Sequence, residues 1–169
     1  MLFRSPWMIA SDKLAEPFAH GTASFIHGST FAGHPIACAV SMANIDVFEQ
    51  ENLLDHVREN EPKFRAALDG LRDIPIVGDV RGAGYFHAIE LVKDRDSKQR
   101  FERAEAEALL RGFLAGELFR RGLICRTDDR GDPVIQLSPP LIAGPEQFAE
   151  IEAVLRAALT AGAERVAGR

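Results

Sequence analysis

Two pairs of short apolar runs limit most strongly what this chain can fold into. Ile76–Val80 is followed by Tyr85–Val92, and Leu123–Arg126 by Val134–Ser138. Runs of this length, bounded by turn residues, read as β-strands. Arg81-Gly82-Ala83-Gly84 joins the first pair, and Asp128-Asp129-Arg130-Gly131-Asp132-Pro133 supplies the turn chemistry of the second. Between the pairs, Leu110, Phe113, Leu114 and Leu118 fall on one stripe of a helix from about Phe101 to Arg121, with Gly122 as its C-terminal stop. The charged stretch Lys93–Arg100 reads as a solvated loop.

The flanks complete the pattern. Val57, Phe64, Leu68 and Leu71 give an apolar face to a helix over about Leu53–Leu71, which Pro62 is expected to kink. A last helix opens near Pro145 and Glu146, with Phe148, Ile151, Leu155, Ala158 and Leu159 on one side. Two helices, two strands, a helix, two strands and a helix specify a small α+β layer, a sheet covered by helices. Ahead of it, Pro35 opens a helix rich in small residues that runs to about Glu49. Residues 1–33 show no sustained period and are expected to be irregular.

At 169 residues the chain has room for one main core plus an appendage. A net charge of −5 gives it no electrostatic footprint for nucleic acid or anionic membrane. No apolar run approaches the roughly 20 residues that span a bilayer, and the start Met1-Leu2-Phe3-Arg4-Ser5-Pro6-Trp7 lacks the form of a signal peptide. Cys38 and Cys125 both lie in apolar or strand-like contexts, which suggests buried free thiols and a cytoplasmic protein.

The segment Phe25-Ile26-His27-Gly28-Ser29-Thr30-Phe31-Ala32-Gly33-His34-Pro35 is the most distinctive in the chain. It delivers hydroxyls and backbone N–H groups just before a helix start, where unpaired N–H groups and the helix dipole favour an anion. Taken alone, the string is more simply a turn with a capped helix, since loops of this kind are common. The same string resembles a motif of class III, pyridoxal-phosphate-dependent aminotransferases: an aromatic, His-Gly, a variable residue, Thr, an aromatic, a small residue, then Gly-His-Pro. The likeness continues through the small-residue helix at Ala37–Asn44, and through Gly78–Gly84, Gly122–Arg126 and Gln136–Leu141, in the family's order.

The resemblance implies an α/β protein of the pyridoxal-phosphate-transferase fold type I, represented here mainly by its C-terminal small α+β domain. Residues 1–34 then correspond to a remnant of the large cofactor-binding domain, 35–52 to a connecting helix and 53–169 to the small domain. Thr30 matches a threonine that reaches the cofactor phosphate of the neighbouring subunit in a homodimer, flanked by Ser29 and the backbone of Phe31; a hydroxyl with N–H donors suits phosphate oxygens. Arg126 matches an arginine that binds the carboxylate of amino-acid and keto-acid substrates, for which a guanidinium fork is well shaped. The cofactor is pyridoxal 5'-phosphate, and the substrates are an amine or amino-acid donor and a keto-acid acceptor.

Transamination also needs a desolvated lysine to carry the cofactor. Lys13, Lys63, Lys93 and Lys98 all sit in polar contexts, and the family's lysine belongs on the N-terminal side of the segment that Ile9–Asp12 resembles, where Met1–Met8 departs from the pattern. The expectation is therefore a C-terminal fragment without the Schiff-base lysine, inactive alone; the alternative is a non-catalytic dimerisation or interaction fragment. Other motifs carry less. His87 stands where a dinucleotide fingerprint starting at Gly82 needs its third glycine. His27 and His34 lack acidic or cysteine partners, so no metal site is expected. Arg130-Gly131-Asp132 is a hairpin turn, and the aspartates around it lack the bidentate glutamate of a calcium loop.

Overall fold

Glycine and proline punctuate the observed elements much as they punctuate the sequence. The structure, a computed structural model, describes residues 11–20, 30, 33–128 and 133–168. The chain divides into two compact units, Met1–Asn52 and Leu53–Arg169.

The first unit contains two described helices, α1 (Asp12–Ala19) and α2 (Pro35–Gln50). The first of these corrects the expectation of an irregular segment. Ser11 stands in extended backbone at the N-cap and Asp12 faces the dipole in the first turn. Pro17 inside an eight-residue helix hides the period from a sequence reading. Helix α2 starts at its proline, as expected, and Cys38 N donates to His34 O across the first turn (3.0 Å). Neither helix buries a residue, so Cys38 is exposed rather than buried as its apolar neighbours suggested.

The second unit is a four-stranded antiparallel sheet with helices packed on one face. Its strands are β1 (Val77–Ala83), β2 (Phe86–Leu91), β3 (Arg126–Asp128) and β4 (Val134–Leu137), in the order β1-β2-β4-β3. Helix α3 (Leu53–Asp69) runs through Pro62 and ends in a 3-10 turn, Gly70–Asp73. The helix expected over Phe101–Arg121 is assembled from α4 (Arg103–Leu109), a π turn at Leu110–Leu114 and α5 (Ala115–Arg120). Gly122, at φ +87°, ends it. Gly122 N donates to Phe119 O (3.0 Å) and Leu123 N to Leu118 O (2.9 Å), the paired bonds of a Schellman closure. Helix α6 (Pro145–Ala167) opens with the Gln147 side chain accepting from Gly144 N (3.0 Å).

Side-chain alternation assigns the two sheet faces. Val80, Ile89 and Ile135 are cross-strand neighbours and are fully buried. With Phe64, Leu68, Leu114, Phe148 and Leu155 they form the core between sheet and helices. Phe64 sits at its centre, stacked 4.8 Å from Phe148 and edge-on to Tyr85 and His87. The β1–β2 hairpin depends on Gly82, at φ +150°: a Cβ there would lie 2.2 Å from Phe86 O and 2.6 Å from His87 Nδ1. On the outer strand β1, the Val80 carbonyl accepts from Arg65 (2.8 Å) and Arg72 (3.0 Å), which covers a hydrogen-bonding edge. Both arginines also hold Asp69, whose carboxyl lies below the usual range because these bonds outweigh its partial desolvation.

Candidate functional site

The opposite face of the sheet is polar, and strand register lays it out in two rows. One row reads Arg81, Ala88, Gln136, Arg126 across β1, β2, β4 and β3; the next reads Asp79, Glu90, Val134, Asp128. Basic and amide groups thus lie in one row and three carboxylates in the other. Arg81 pairs diagonally with Glu90. Arg126 Nη2 pairs with Asp128 Oδ2 at 2.8 Å.

Arg126 was expected at a strand end and begins β3 instead, because Leu123, Ile124 and Cys125 remain irregular after the Schellman closure. Strand β3 aims its side chain outward: 56% of it is exposed, against 9% for Asp128. A guanidinium on a fixed strand, open to solvent and beside Gln136 of β4, can receive a planar anion. Buried Asp128 escaped the sequence reading, which took it for a turn residue. Paired with Val134 of β4, it lies on the same face of β3 as Arg126.

The residues expected at the cofactor lie in the first unit. Thr30 is exposed on a turn five residues before the start of α2, and Gly33 at φ +72° redirects the chain toward the helix. Ser29 and Phe31 lie outside the described residues. The four lysines, Lys13, Lys63, Lys93 and Lys98, are all exposed. Lys63 Nζ donates to Asn60 Oδ1 (3.0 Å) and Lys93 Nζ pairs with Glu105 (2.6 Å). None is in the desolvated setting that makes a lysine amine nucleophilic at neutral pH.

A half-buried thiol and a buried imidazole complete the inventory. Burial pushes the Cys125 thiol up to about 11, so it is an inert, protonated side chain at neutral pH. His87, on the core face, has Nε2 2.9 Å from Gly84 O. Among the described residues no cluster of His, Cys, Asp or Glu is arranged to hold a metal ion. No described helix is long and apolar enough to cross a membrane.

Comparison with known proteins places this geometry. The sequence matches the family described as aminotransferase class-III over residues 3–159. It is 57% identical over 153 residues to a protein of Mycobacterium tuberculosis named as a probable aminotransferase, covering 90% of this chain and 33% of that protein. It is 35% identical to the putrescine–pyruvate aminotransferase of Pseudomonas aeruginosa, covering 90% of this chain and 32% of that one. Among solved structures, an (S)-enantioselective omega-transaminase from Thermomicrobium roseum superimposes with a TM-score of 0.75 at 32% identity, over 90% of this chain and 33% of that chain. This chain therefore spans about a third of the length of the relatives it matches.

Proposed function

This chain belongs to the class III aminotransferases, and from that membership we propose that it forms the C-terminal part of an enzyme moving an amino group from an amine or amino acid to a keto acid. The observation that carries the reading is Arg126. It projects from β3 on the open polar face of a small sheet domain, with more than half of its side chain exposed.

Class III aminotransferases are pyridoxal-phosphate enzymes, and the bound cofactor supplies the electron sink through which an amino group changes carrier. The described residues suit one part of that group. Thr30 offers an exposed hydroxyl on the turn leading into α2, where a phosphate also meets the positive end of the helix dipole. We assign Thr30, with Ser29 and Phe31 beside it, to the phosphate. The four exposed lysines do not suit the covalent part, so the reactive lysine is assigned outside this chain. The division at Asn52 and Leu53 supports reading 1–34 as large-domain sequence, 35–52 as a connecting helix and 53–169 as the small domain. A homodimer in which Thr30 serves the neighbouring subunit completes the proposal.

Arg126 orients a carboxylate-bearing substrate by holding its carboxylate in a planar fork. A simple amine has no carboxylate, so the fork contributes nothing to its transition state. Grafting this chain in place of the matching third of the Mycobacterium tuberculosis relative gives an enzyme that tests both assignments. Arg126→Ala is expected to slow the half-reactions of amino acids and keto acids by roughly ten- to hundredfold, the weight of one charge-assisted contact, and to spare a simple amine. Thr30→Ala is expected to weaken cofactor retention on dialysis. Equal loss on both substrate classes removes Arg126 from the site, and a folded graft with no activity on any amine and keto acid overturns the function. For the chain alone, borohydride reduction with pyridoxal phosphate is expected to label no lysine stoichiometrically; full labelling at Lys13 contradicts the lysine assignment.

A further inference from the structure

His87 enters the core from β2, only 2% exposed, and its two ring nitrogens meet unlike surroundings. Nε2 lies 2.9 Å from Gly84 O, which can only accept, so the ring proton sits on Nε2. Nδ1 then carries a lone pair. It is fully enclosed and has no hydrogen-bond partner among the described residues. The Gly82 backbone closes against it: even a Cβ on Gly82 would fall 2.6 Å from Nδ1, so no water fits between them. A neutral ring leaves only that lone pair unmatched. A second proton would put a donor and a positive charge into the same dry position, where neither finds compensation.

The elements packed around the ring present groups that do not ionise. Helix α3 offers Phe64, edge-on with ring centroids 5.3 Å apart, β1 offers Gly82, and β4 offers Leu137, the register partner. Helix α6 contributes Phe148, stacked on Phe64. The ionisable groups of the neighbourhood are engaged elsewhere. Glu61 on α3 accepts from Gly84 N (2.7 Å), and Tyr85 in the turn donates to Ala143 O (2.9 Å). His56 on α3 has Nε2 2.9 Å from that same carbonyl. Arg65 on α3 bonds Asp69 and the Val80 carbonyl, and Arg81 on β1 pairs with Glu90. Gly84 is therefore held by side chains at both ends, its N–H by Glu61 and its carbonyl by His87.

From this arrangement we propose that the β1–β2 turn is an acid-released latch, closed while His87 is neutral and opened by proton uptake at Nδ1. The open form holds one proton more than the closed form, so falling pH favours opening and rising pH favours closure. A free imidazole takes up its second proton near pH ~6.5, so opening grows below about that value. Opening frees the Gly84 carbonyl and unpairs Phe86, a largely exposed ring, from Ala83 across the hairpin.

Amide hydrogen exchange on the full 169-residue chain tests the latch. Protection of the Gly84 N–H, corrected for the intrinsic exchange rate, is compared at about pH 7.5 and about pH 5.5. It is expected to fall about tenfold, the change that one coupled proton gives per pH unit below the free imidazole's range. The Leu123 N–H, bonded to Leu118 O at the far helix end, is the control and is expected to keep its protection. His87→Met is expected to remove the acid response, and Glu61→Gln, which keeps an acceptor for Gly84 N, to retain it. His87→Gln, equally unable to ionise, makes the same test if the methionine variant melts early. Unchanged Gly84 protection at the two pH values overturns the proposal. So does an acid response that survives in the His87 variants, one that disappears in Glu61→Gln, or an equal loss at Leu123, which means that the whole domain opens.

Discussion

The two units of this chain use apolar residues in opposite ways. In Leu53–Arg169 they are collected into one core, with Phe64, Leu68, Leu71, Ile89, Leu114 and Leu155 fully buried. In Met1–Asn52 the two described helices bury nothing, and α2 leaves Ile36, Val40, Met42, Ile45 and Val47 exposed. The contrast shows in sequence as well as structure. The small domain's helices have apolar stripes, whereas α2 carries small and apolar residues around most of its circumference, the mark of a helix meant to be enclosed. A stripe finds its partner within its own domain. An all-round apolar helix needs surroundings that its own unit does not provide among the described residues.

The comparison breaks most decisively at the core. Leu53–Arg169 expressed by itself is expected to unfold cooperatively at nearly the melting temperature of the whole chain. Within it, Phe64→Ala should cost about 3–5 kcal/mol, because a ring touching Phe148, Tyr85 and His87 leaves a cavity that cannot close. Thermal melts check the first and urea titration the second. A domain that needs residues 1–52 to fold erases the distinction between the units.

Next in size is the hairpin. Gly82→Ala places a methyl group against the Phe86 carbonyl at a backbone angle suited to glycine. It should destabilise by about 2–3 kcal/mol. Thermal melts reading within a degree or two of the original chain would mean the β1–β2 turn relaxes freely.

The thiols give a smaller contrast. In the folded chain Cys125 stays protonated to about pH 11, while the unfolded thiol ionises near its ordinary value of 9. The unfolded state thus binds fewer protons between these values, and stability falls as pH rises from 9 toward 11. The share due to this partly exposed group is about 1 kcal/mol, seen as the difference from Cys125→Ala. Exposed Cys38 should react with a disulfide reagent at pH 8 well ahead of Cys125. Equal rates contradict the burial.

The smallest effect on stability, under about 0.5 kcal/mol, is expected for Val40→Lys on α2. Its consequence lies elsewhere: the contiguous apolar surface should drive self-association of the chain, and a charge at Val40 should reduce it. Light scattering on the two proteins decides, and a compact monomer in both cases removes the argument for an enclosed helix.

Much of this was legible in the residues. Period 3.6 placed α3 and α6, paired apolar runs placed β1, β2 and β4 but set β3 too early, Pro35 and Gly122 marked a helix start and stop, and Phe25–Pro35 with its companion blocks pointed to the family. Each is local information, since a helix stripe or a glycine stop is decided by neighbours a few residues away. Helix α1 was missed because Pro17 interrupts a segment too short to show a period. The exposure of Cys38 and the burial of Asp128 were missed for another reason. Burial is decided by what packs against a residue from elsewhere in the chain. Strand alternation sets Arg126 and Asp128 on one face of β3, but tertiary pairing alone laid Gln136 and Ala88 out across the ladder from Arg126. Residues 88 and 136 are brought into register by hydrogen bonds between strands distant in sequence, and no spacing along the chain encodes that register.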